Sequence, residues 1–220
     1  MTDYRELISN QIIYYRGRAA DYDEAWPEDR LVQPTAEIRQ ALREFSPSGR
    51  VLEIACGTGN WTLELVKFAE QLVALDASSE MLAINTERLG HDSGVRYVQA
   101  DLFSWQPDDR YDAVCFAHWL SHVPPALFES FWSLVASCLH PTGRVFFVDE
   151  LPHEMWSEDY VDDAQAIVRR RARDCTEHQL VKVFWDPRDL ENALHDLGWR
   201  IAVTGTGPLY WGAGHRIPQR

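Results

Sequence analysis

Short apolar segments alternate with amphipathic segments along the middle of the chain. Five apolar runs predict strands at residues 51–55, 72–76, 95–100, 111–117 and 144–149. Between them, apolar residues spaced three and four positions apart predict helices over 60–70, 79–88 and 124–139. Strands that alternate with helices in this way are typical of parallel β-α-β units. The pattern predicts an α/β fold with a Rossmann-like, doubly wound and mostly parallel sheet.

The end of the chain departs from this alternation. Apolar runs at 200–205 and 209–214 are separated by a short Gly-Pro turn, which has no room for a crossover helix, so these strands must pair antiparallel. A helix over 188–197 precedes them, and a charged helix over 156–173 and a strand over 179–185 are predicted before that. We therefore expect a seven-stranded sheet that ends in an antiparallel C-terminal hairpin.

The start of the chain carries two helical patterns. Residues 3–16 predict an amphipathic helix, and residues 35–45 predict another, entered through Pro34, with a polar loop over 21–34 between them. At 220 residues the chain fits a single domain. We divide it into an N-terminal helical lid (1–49), a core (50–150), a substrate cap insertion (151–186), and a last helix with the terminal hairpin (187–220).

The composition narrows the range of partners. The formal net charge is −13, and so acidic a surface repels polyanions, which argues against a nucleic-acid or anionic-membrane partner and favours a small-molecule substrate. No run approaches the roughly 20 apolar residues of a membrane-spanning helix, so we expect a cytoplasmic protein, monomeric or homodimeric. The four cysteines lie far apart and are interpreted as reduced thiols.

A glycine motif follows the first predicted strand of the core. In VLEIACGTGNWT, residues 51–62, Gly57 and Gly59 allow close backbone approach, and a helix begins directly afterwards. A dinucleotide motif would have a third glycine where Thr62 stands. The strand also carries Glu53, which would repel a pyrophosphate and suit a cationic amino-acid ligand. The motif therefore favours S-adenosylmethionine (SAM) over a nicotinamide dinucleotide.

Acidic residues stand at the ends of two further strands. Asp76 ends the second strand, where a carboxylate can accept both hydroxyls of a ribose. Alternatively, Asp76 caps the next helix, although Ser78 or Ser79 could do so instead. Asp101 ends the third strand, where it could bind an adenine amino group while Leu102 packs on the ring.

Taken together, these motifs resemble those of class I SAM-dependent methyltransferases. The likeness covers about residues 50–149: the glycine motif, Asp76 with the following A-S-S-E-M-L, the A-D-L at 100–102 and the Y-D-A-V at 111–114. The resemblance implies SAM as cofactor and S-adenosylhomocysteine (SAH) as product. It also implies a cofactor site, in which the glycine loop holds the methionine portion and Ala117 lies beside the sulfonium. Its implied residues are Glu53, Gly57, Gly59, Asp76, Ala77, Met81, Asp101, Leu102 and Ala117.

Two further segments, YYRGRAADYD at 14–23 and HWLSHVP at 118–124, resemble small bacterial methyltransferases of metabolite and natural-product biosynthesis. That likeness suggests a lid over the donor, which would exclude water from the reaction. Tyr14 and Arg18 would then contact the cofactor, and Tyr15 and Tyr22 the substrate. Alternatively, these residues form an amphipathic helix and nothing more.

Two histidines follow the fourth strand at the functional edge of the sheet. His118 and His122 are interpreted as catalytic residues, acting as general base or substrate contact if the acceptor is a phenol or hydroxyl. A purely structural role is equally open. A metal pair would need a third ligand from Asp149, Glu150 or His153, and we predict no metal.

The predicted cap carries a basic cluster in this otherwise acidic chain, at Arg169, Arg170, Arg171 and Arg173. Such a run is usually a solvated helix face. The functional interpretation is that Arg171, together with Lys182, receives a substrate carboxylate. Glu150 and Trp119 are further substrate candidates, although core filling is the commoner role of a tryptophan.

These features predict an enzyme that transfers a methyl group from SAM to N, O or C of a small aromatic or heterocyclic metabolite. Methyl transfer needs no protein nucleophile, because holding donor and acceptor in line supplies most of the acceleration. One alternative is a SAM-binding protein that catalyses a cyclisation or acts as a sensor. Another, a nicotinamide-dependent oxidoreductase, is disfavoured by Thr62 and by the lack of a Tyr-x-x-x-Lys motif.

Overall fold

The computed structural model describes residues 4–25, 28–153, 158–162, 164 and 166–218. Its helices are α1 (Tyr4–Gly17), α2 (Glu28–Phe45), α3 (Thr62–Leu65), α4 (Ser79–Leu89), α5 (Phe128–Cys138) and α6 (Pro187–Asp196). Its strands are β1 (Arg50–Ile54), β2 (Gln71–Asp76), β3 (Arg96–Gln99), β4 (Tyr111–Ala117), β5 (Leu139–Glu150), β6 (Asp159–Asp162), β7 (Ile167–Arg171), β8 (Glu177–Val181), β9 (Trp199–Thr206) and β10 (Leu209–Arg216). In the described residues no helix is both long and apolar enough to span a membrane.

Seven strands form the main sheet in the order β3-β2-β1-β4-β5-β10-β9. The first five of these pair in parallel, whereas β10 runs antiparallel to both β5 and β9. The predicted fold class, with its antiparallel C-terminal hairpin, is confirmed. In this topology the carboxyl ends of β1, β2, β4 and β5 meet at one edge, where ligands of doubly wound folds bind.

The sheet is covered on both faces, as parallel sheets require. Leu52 and Ile54 of β1 point to one face and belong to a cluster that includes Trp132 of α5. Val51 points to the other face, where Ile38 and other side chains of α2 pack. This two-sided burial explains why the strand segments are almost uniformly apolar. It also fixes the strand ends that carry the site residues.

The N-terminal helices differ in part from the sequence prediction. Helix α1 lies where it was predicted, but α2 begins at Glu28 and contains Pro34 within it. The predicted loop over 21–34 is therefore too long, and Pro34 does not mark the helix entry. A proline inside a helix removes one internal hydrogen bond, and prolines are therefore usually expected in the first turn of a helix.

The predicted helix over 156–173 is wrong, because its described residues form β6 and β7 of a second, antiparallel sheet with the order β6-β7-β8. Charged residues in this segment pair across strands rather than along a helix face. Arg169 lies opposite Asp159 and bonds to its carboxylate, and Arg171 does the same with Glu177. Such cross-strand ion pairs support a sheet in the way that i,i+4 pairs support a helix.

Helix α1 packs across the second sheet. Leu7 lies in a cluster with Ile167 and Val181, and Tyr14 lies in a cluster with Val168 and Leu180. The backbone N–H of Val183, just beyond β8, donates to the carbonyl of Ser121, at 2.8 Å. The second sheet and α1 therefore lie together over the carboxyl edge of the main sheet.

Candidate active site

Three neighbouring cavities lie where the carboxyl ends of the parallel strands face α1 and the second sheet. The first cavity follows the ends of β1, β2 and β4, and the segment after β3. Its lining includes most residues predicted for the cofactor: Gly57, Asp76, Ala77, Met81, Asp101, Leu102 and Ala117. It also includes Tyr15, Tyr22, His118, Trp119 and His122. Trp119, predicted to contact substrate, therefore lies with the predicted adenine residues.

Asp76 organises the turn after β2 and the glycine loop at once. Its two carboxylate oxygens accept hydrogen bonds from the backbone N–H groups of Gly57, at 2.9 Å, and Ser78, at 2.8 Å. The N-cap of α4 is Ser78, whose Oγ accepts from the N–H of Met81, so the alternative cap role of Asp76 is not needed. Burial raises the pKa of Asp76, although these backbone donors oppose that shift.

The second cavity, of about 470 Å³, lies beside the glycine loop. It is lined by Glu53 and Gly57, and one oxygen of the buried Glu53 carboxyl, Oε2, has no hydrogen-bond partner among the described residues. Burial raises the pKa of Glu53 to about 8, so the group is mostly neutral at pH 7. A cationic ammonium group would satisfy this oxygen, and the site therefore fits the amino-acid portion of SAM.

The glycine loop depends on backbone conformations that larger residues avoid. Gly57 and Gly59 have φ values of +53° and +93°. A Cβ on Gly59 would lie 2.7 Å from the side chain of Asn85, which donates to the Gly57 carbonyl. Gly59 thus shapes the loop from behind, whereas Gly57 lines the first two cavities.

The third cavity is small, about 130 Å³, and each of its ten described lining residues carries a polar side-chain group. Those residues are Tyr14, Tyr15, Arg18, Tyr22, His118, His122, Glu150, Glu158, Arg170 and Lys182. Tyr22 and His118 line all three cavities. They mark the point where a ligand in the third cavity would meet a cofactor in the other two.

His118 lies at this junction in an unusual backbone conformation and beside an acidic residue. It directly follows β4 and has a φ of +54°, a region that non-glycine residues rarely adopt and that is enriched at functional sites. Its Nδ1 atom lies 3.3 Å from Oε1 of Glu150. This distance brings the carboxylate next to the ring, but the contact does not have the geometry of a hydrogen bond.

Glu150 is also the partner of Lys182, whose side chain is 1% exposed. The Lys182 ammonium donates to Oε2 of Glu150 and, at 3.0 Å, to Oγ of Ser121. Although burial opposes both charges, the pair holds the pKa of Glu150 well below its usual range and raises the pKa of Lys182. Both groups are therefore ionised inside the protein.

His122 is engaged through both ring nitrogens. Its Nδ1 lies 2.8 Å from the carbonyl of Val181 and must donate, because a carbonyl only accepts. Its Nε2 lies 2.8 Å from the hydroxyl of Tyr15, which in turn accepts from Arg170 at 3.0 Å. Burial, with Lys182 and Arg170 nearby, lowers the pKa of His122 well below its usual value. The neutral ring therefore accepts the proton of Tyr15.

One group of side chains has the composition of a metal site: His118, Asp149 and Glu150. Their potential metal-ligand atoms all lie within 4.8 Å of one another. However, the Lys182 ammonium already bonds to Glu150. The Asp149 carboxylate accepts backbone hydrogen bonds from Ser121, at 2.8 Å, and Glu150, at 2.9 Å. The two carboxylates thus already accept hydrogen bonds from groups of the chain itself. The Lys182 ammonium supplies the positive charge that a metal ion would bring.

Some predicted residues lie elsewhere than expected. Arg171 is directed outwards, with 66% of its side chain exposed and paired to Glu177, whereas its neighbour Arg170 lines the third cavity. Alternation along β7 explains the difference, and it was hidden by the wrong helix prediction. Tyr14 and Arg18, predicted to contact the cofactor, line the third cavity but neither of the other two.

The Arg170 partner Glu158 was missed in the sequence, as was Ser121, the hydrogen-bond partner of Lys182. Glu158 stands in no recognisable motif, and Ser121 lies within the HWLSHVP segment at 118–124, where it was not singled out. If the segment had been predicted as a strand, alternation would have placed Arg170 on the same face as the apolar Val168, two positions earlier. For Glu158 no pattern in the sequence gives a signal, since its role arises from contact across the fold.

Comparison with known proteins identifies relatives of this chain. A family model described as a methyltransferase domain matches residues 51–143. The chain is 31% identical over 101 residues to a putative methyltransferase of Bacillus subtilis, YqeM, and 26% identical over 164 residues to an uncharacterized methyltransferase of Staphylococcus carnosus. The first match spans 46% of this chain and 40% of YqeM, and the second 74% and 76%.

Among solved structures, DhpI bound to SAH aligns over 99% of this chain and 100% of its own, with 39% identity and a TM-score of 0.87. A glycopeptide N-methyltransferase, MtfA, is 20% identical with a TM-score of 0.60, covers 84% of this chain and 90% of its own, and shares the fold alone. Fold and cavities thus define an α/β nucleotide-binding protein. The chain belongs to the class I SAM-dependent methyltransferases and is an enzyme that uses SAM.

Proposed function

We propose that this enzyme methylates an oxygen of a small, anionic acceptor held in the third cavity. The observation that carries the proposal is the lining of that cavity, where Arg18, Arg170 and Lys182 accompany phenol and imidazole groups. Arginine and lysine side chains are the groups that recognise carboxylate and phosphate oxygens. The volume of about 130 Å³ is close to that of a cavity of roughly 150 Å³ that accepts benzene.

Because every described residue of the lining carries a polar side-chain group, we favour a compact oxyacid over the aromatic or heterocyclic acceptor that the sequence predicts. DhpI has been captured in one complex with SAM and HEP, so a related chain holds a second ligand together with the donor. A role in natural-product biosynthesis stays a prediction.

We assign the other two cavities to the cofactor. Asp76 would bind the ribose, Asp101 and Leu102 the adenine, and Glu53 the ammonium group beside the glycine loop. Bound SAM supplies an electrophilic methyl group, which leaves its sulfur as the acceptor's lone pair forms the new bond. Tyr22 and His118, which line all three cavities, would frame the path of transfer.

The surrounding residues serve this transfer in three ways. Arg170 and Lys182 hold the acceptor anion, and α1 with the second sheet excludes water, which would otherwise stabilise the separated charges. His118, which lies beside Glu150, accepts a proton when the acceptor arrives protonated. His122 is a positioning residue for Tyr15, because its Nε2 lone pair already accepts the Tyr15 hydrogen.

The test is a methylation assay with SAM and four acceptor classes: short carboxylates, phosphonates, amines and phenols. We expect methylated product from oxyanions alone, detected by mass spectrometry together with SAH. Arg170→Gln should lower kcat/KM by about 10- to 100-fold, the loss of one charge-assisted contact. The matched control, Arg169→Gln, removes a neighbouring exposed arginine that pairs with Asp159, and should leave activity unchanged.

Turnover of amines or phenols by wild type, together with full activity in Arg170→Gln, would show that the third cavity does not recognise an anion.

A further inference from the structure

Arg170 is directed towards the third cavity, yet its guanidinium already holds a carboxylate of the chain itself. Its Nε donates to one oxygen of Glu158, at 3.1 Å, and its NH2 group donates to the other oxygen. This is the paired geometry in which arginine also binds a free carboxylate or phosphate. The Glu158 side chain is 8% exposed and lines the same cavity.

Among the described residues that line the cavity, cations outnumber carboxylates by one. The cations are Arg18, Arg170 and Lys182, and the carboxylates are Glu150 and Glu158. Lys182 is matched by Glu150, and Arg170 by Glu158. Arg18 contacts Asp21, which lies outside the lining and also bonds to Arg173, and Arg173 in turn pairs with Glu24. A ligand with one negative charge would match the excess of one cation among the described lining residues.

We propose that Glu158 is a specificity-determining residue, which makes the third cavity select acceptors with a single negative charge and reject those with two. The inference rests on the proposed function, since it concerns the anion site of that function. A second negative charge on the acceptor would face the Glu158 carboxylate within this small cavity. At an effective dielectric of about 20, such repulsion over roughly 6 to 10 Å weakens binding by about 10- to 100-fold.

Selection for one charge also suits turnover. Methylation of a singly charged oxyanion gives a neutral product, which no longer balances the positive charge of the site and is released more readily. A doubly charged acceptor would give a product that still carries a charge and is retained. The cations of the lining thus distinguish the anionic acceptor, which binds, from the neutral product, which leaves.

The test compares two tetrahedral anions of similar size whose charges are fixed near neutral pH, methanesulfonate and sulfate. Each is titrated by calorimetry into the SAH-loaded enzyme at one low ionic strength, because salt screens these interactions. The variant is Glu158→Gln. The matched control is Asp159→Asn, which removes the same charge from the next residue, whose arginine partner Arg169 is exposed. Melting temperatures verify that each variant is folded.

We expect wild type and Asp159→Asn to prefer methanesulfonate, and Glu158→Gln to shift the affinity ratio towards sulfate by at least about tenfold. An unchanged ratio in folded Glu158→Gln, with methanesulfonate binding that Arg170→Gln abolishes, would overturn the role of Glu158 and leave the anion site standing. If neither wild type nor Glu158→Gln binds either anion, the proposed function fails together with this inference.

Discussion

The Tyr15 hydroxyl lies 2.8 Å from Nε2 of His122, on the opposite side of the ring from the bond between Nδ1 and the Val181 carbonyl. This arrangement fixes the tautomer of His122 and aims the single proton of Tyr15 at the ring. Burial raises the pKa of Tyr15, so the phenol stays protonated. Helix α1, which carries Tyr15, is thereby tied to the segment after β4.

The first prediction concerns this hydrogen bond. Tyr15→Phe leaves a buried imidazole nitrogen without its donor, which should lower the free energy of unfolding by about 1 to 3 kcal/mol. Tyr160→Phe is the control, because its hydroxyl donates to the Lys182 carbonyl from a residue that is 37% exposed, where water can replace it. Urea unfolding of both variants measures the difference. Equal losses of unfolding free energy would mean that the buried Tyr15 hydrogen bond contributes no more stability than the partly exposed bond of Tyr160.

The second prediction follows from the buried pair of Glu150 and Lys182. A carboxyl whose pKa is lowered by folding stabilises the protein above its unfolded pKa, about 4.3, and this contribution is lost as the pH falls through the lowered folded value. Glu150→Gln leaves the Lys182 charge buried and should cost about 3 to 5 kcal/mol at pH 7. The gap to wild type should narrow below about pH 4.3, because Glu150 then takes up a proton in the unfolded wild type while it stays ionised in the folded protein.

Denaturant unfolding between pH 3 and pH 7 measures this gap. Glu177→Gln is the control, because Glu177 pairs with Arg171 on the surface, where solvent screens the charges and little stability is expected from the pair. A Glu150→Gln deficit that stays constant with pH would contradict the assignment of an ionised, stabilising Glu150.

The sequence predicted the residues that line the first cavity better than those that line the third. Gly57, Asp76 and Asp101 stand at strand ends, and strand ends follow from apolar patterning, so their proximity could be predicted without coordinates. Arg170 and Glu158 meet only because the chain folds into the second sheet, and no pattern in the sequence predicts this contact. Contacts between distant segments of the chain could therefore not be predicted from the sequence.

The third prediction concerns Glu53, whose pKa of about 8 means that it carries a proton in the free enzyme at pH 6.5. If the ammonium group of the ligand bonds to this residue, ionised Glu53 becomes favoured and the proton is released. Calorimetric titration with SAH in buffers of different ionisation enthalpy should show nearly one proton released by wild type. Glu53→Gln should release none, and identical proton counts would remove Glu53 from the ammonium site.

The fourth prediction concerns Asp76. Asp76→Ala should weaken SAH binding by about 1 to 3 kcal/mol, because the ribose loses charge-assisted hydrogen bonds. Since Asp76 also accepts from the N–H groups of Gly57 and Ser78, the variant should melt at a lower temperature as well. Asp92→Ala, an exposed aspartate after α4, is the control for the change of charge. Unchanged SAH affinity in Asp76→Ala would refute the ribose assignment.

The last prediction decides whether the enzyme uses a base. His118→Asn retains a residue type that tolerates the left-handed backbone at φ +54°, so the fold and SAH affinity should be preserved. General bases contribute about 100- to 10,000-fold. For an acceptor that is already ionised, we expect kcat to fall by less than about tenfold, since no proton has to leave. The same mass-spectrometric assay measures kcat. A fall in kcat of a hundredfold or more, with SAH affinity intact, would instead show that His118 is a catalytic base and that the acceptor oxygen arrives protonated.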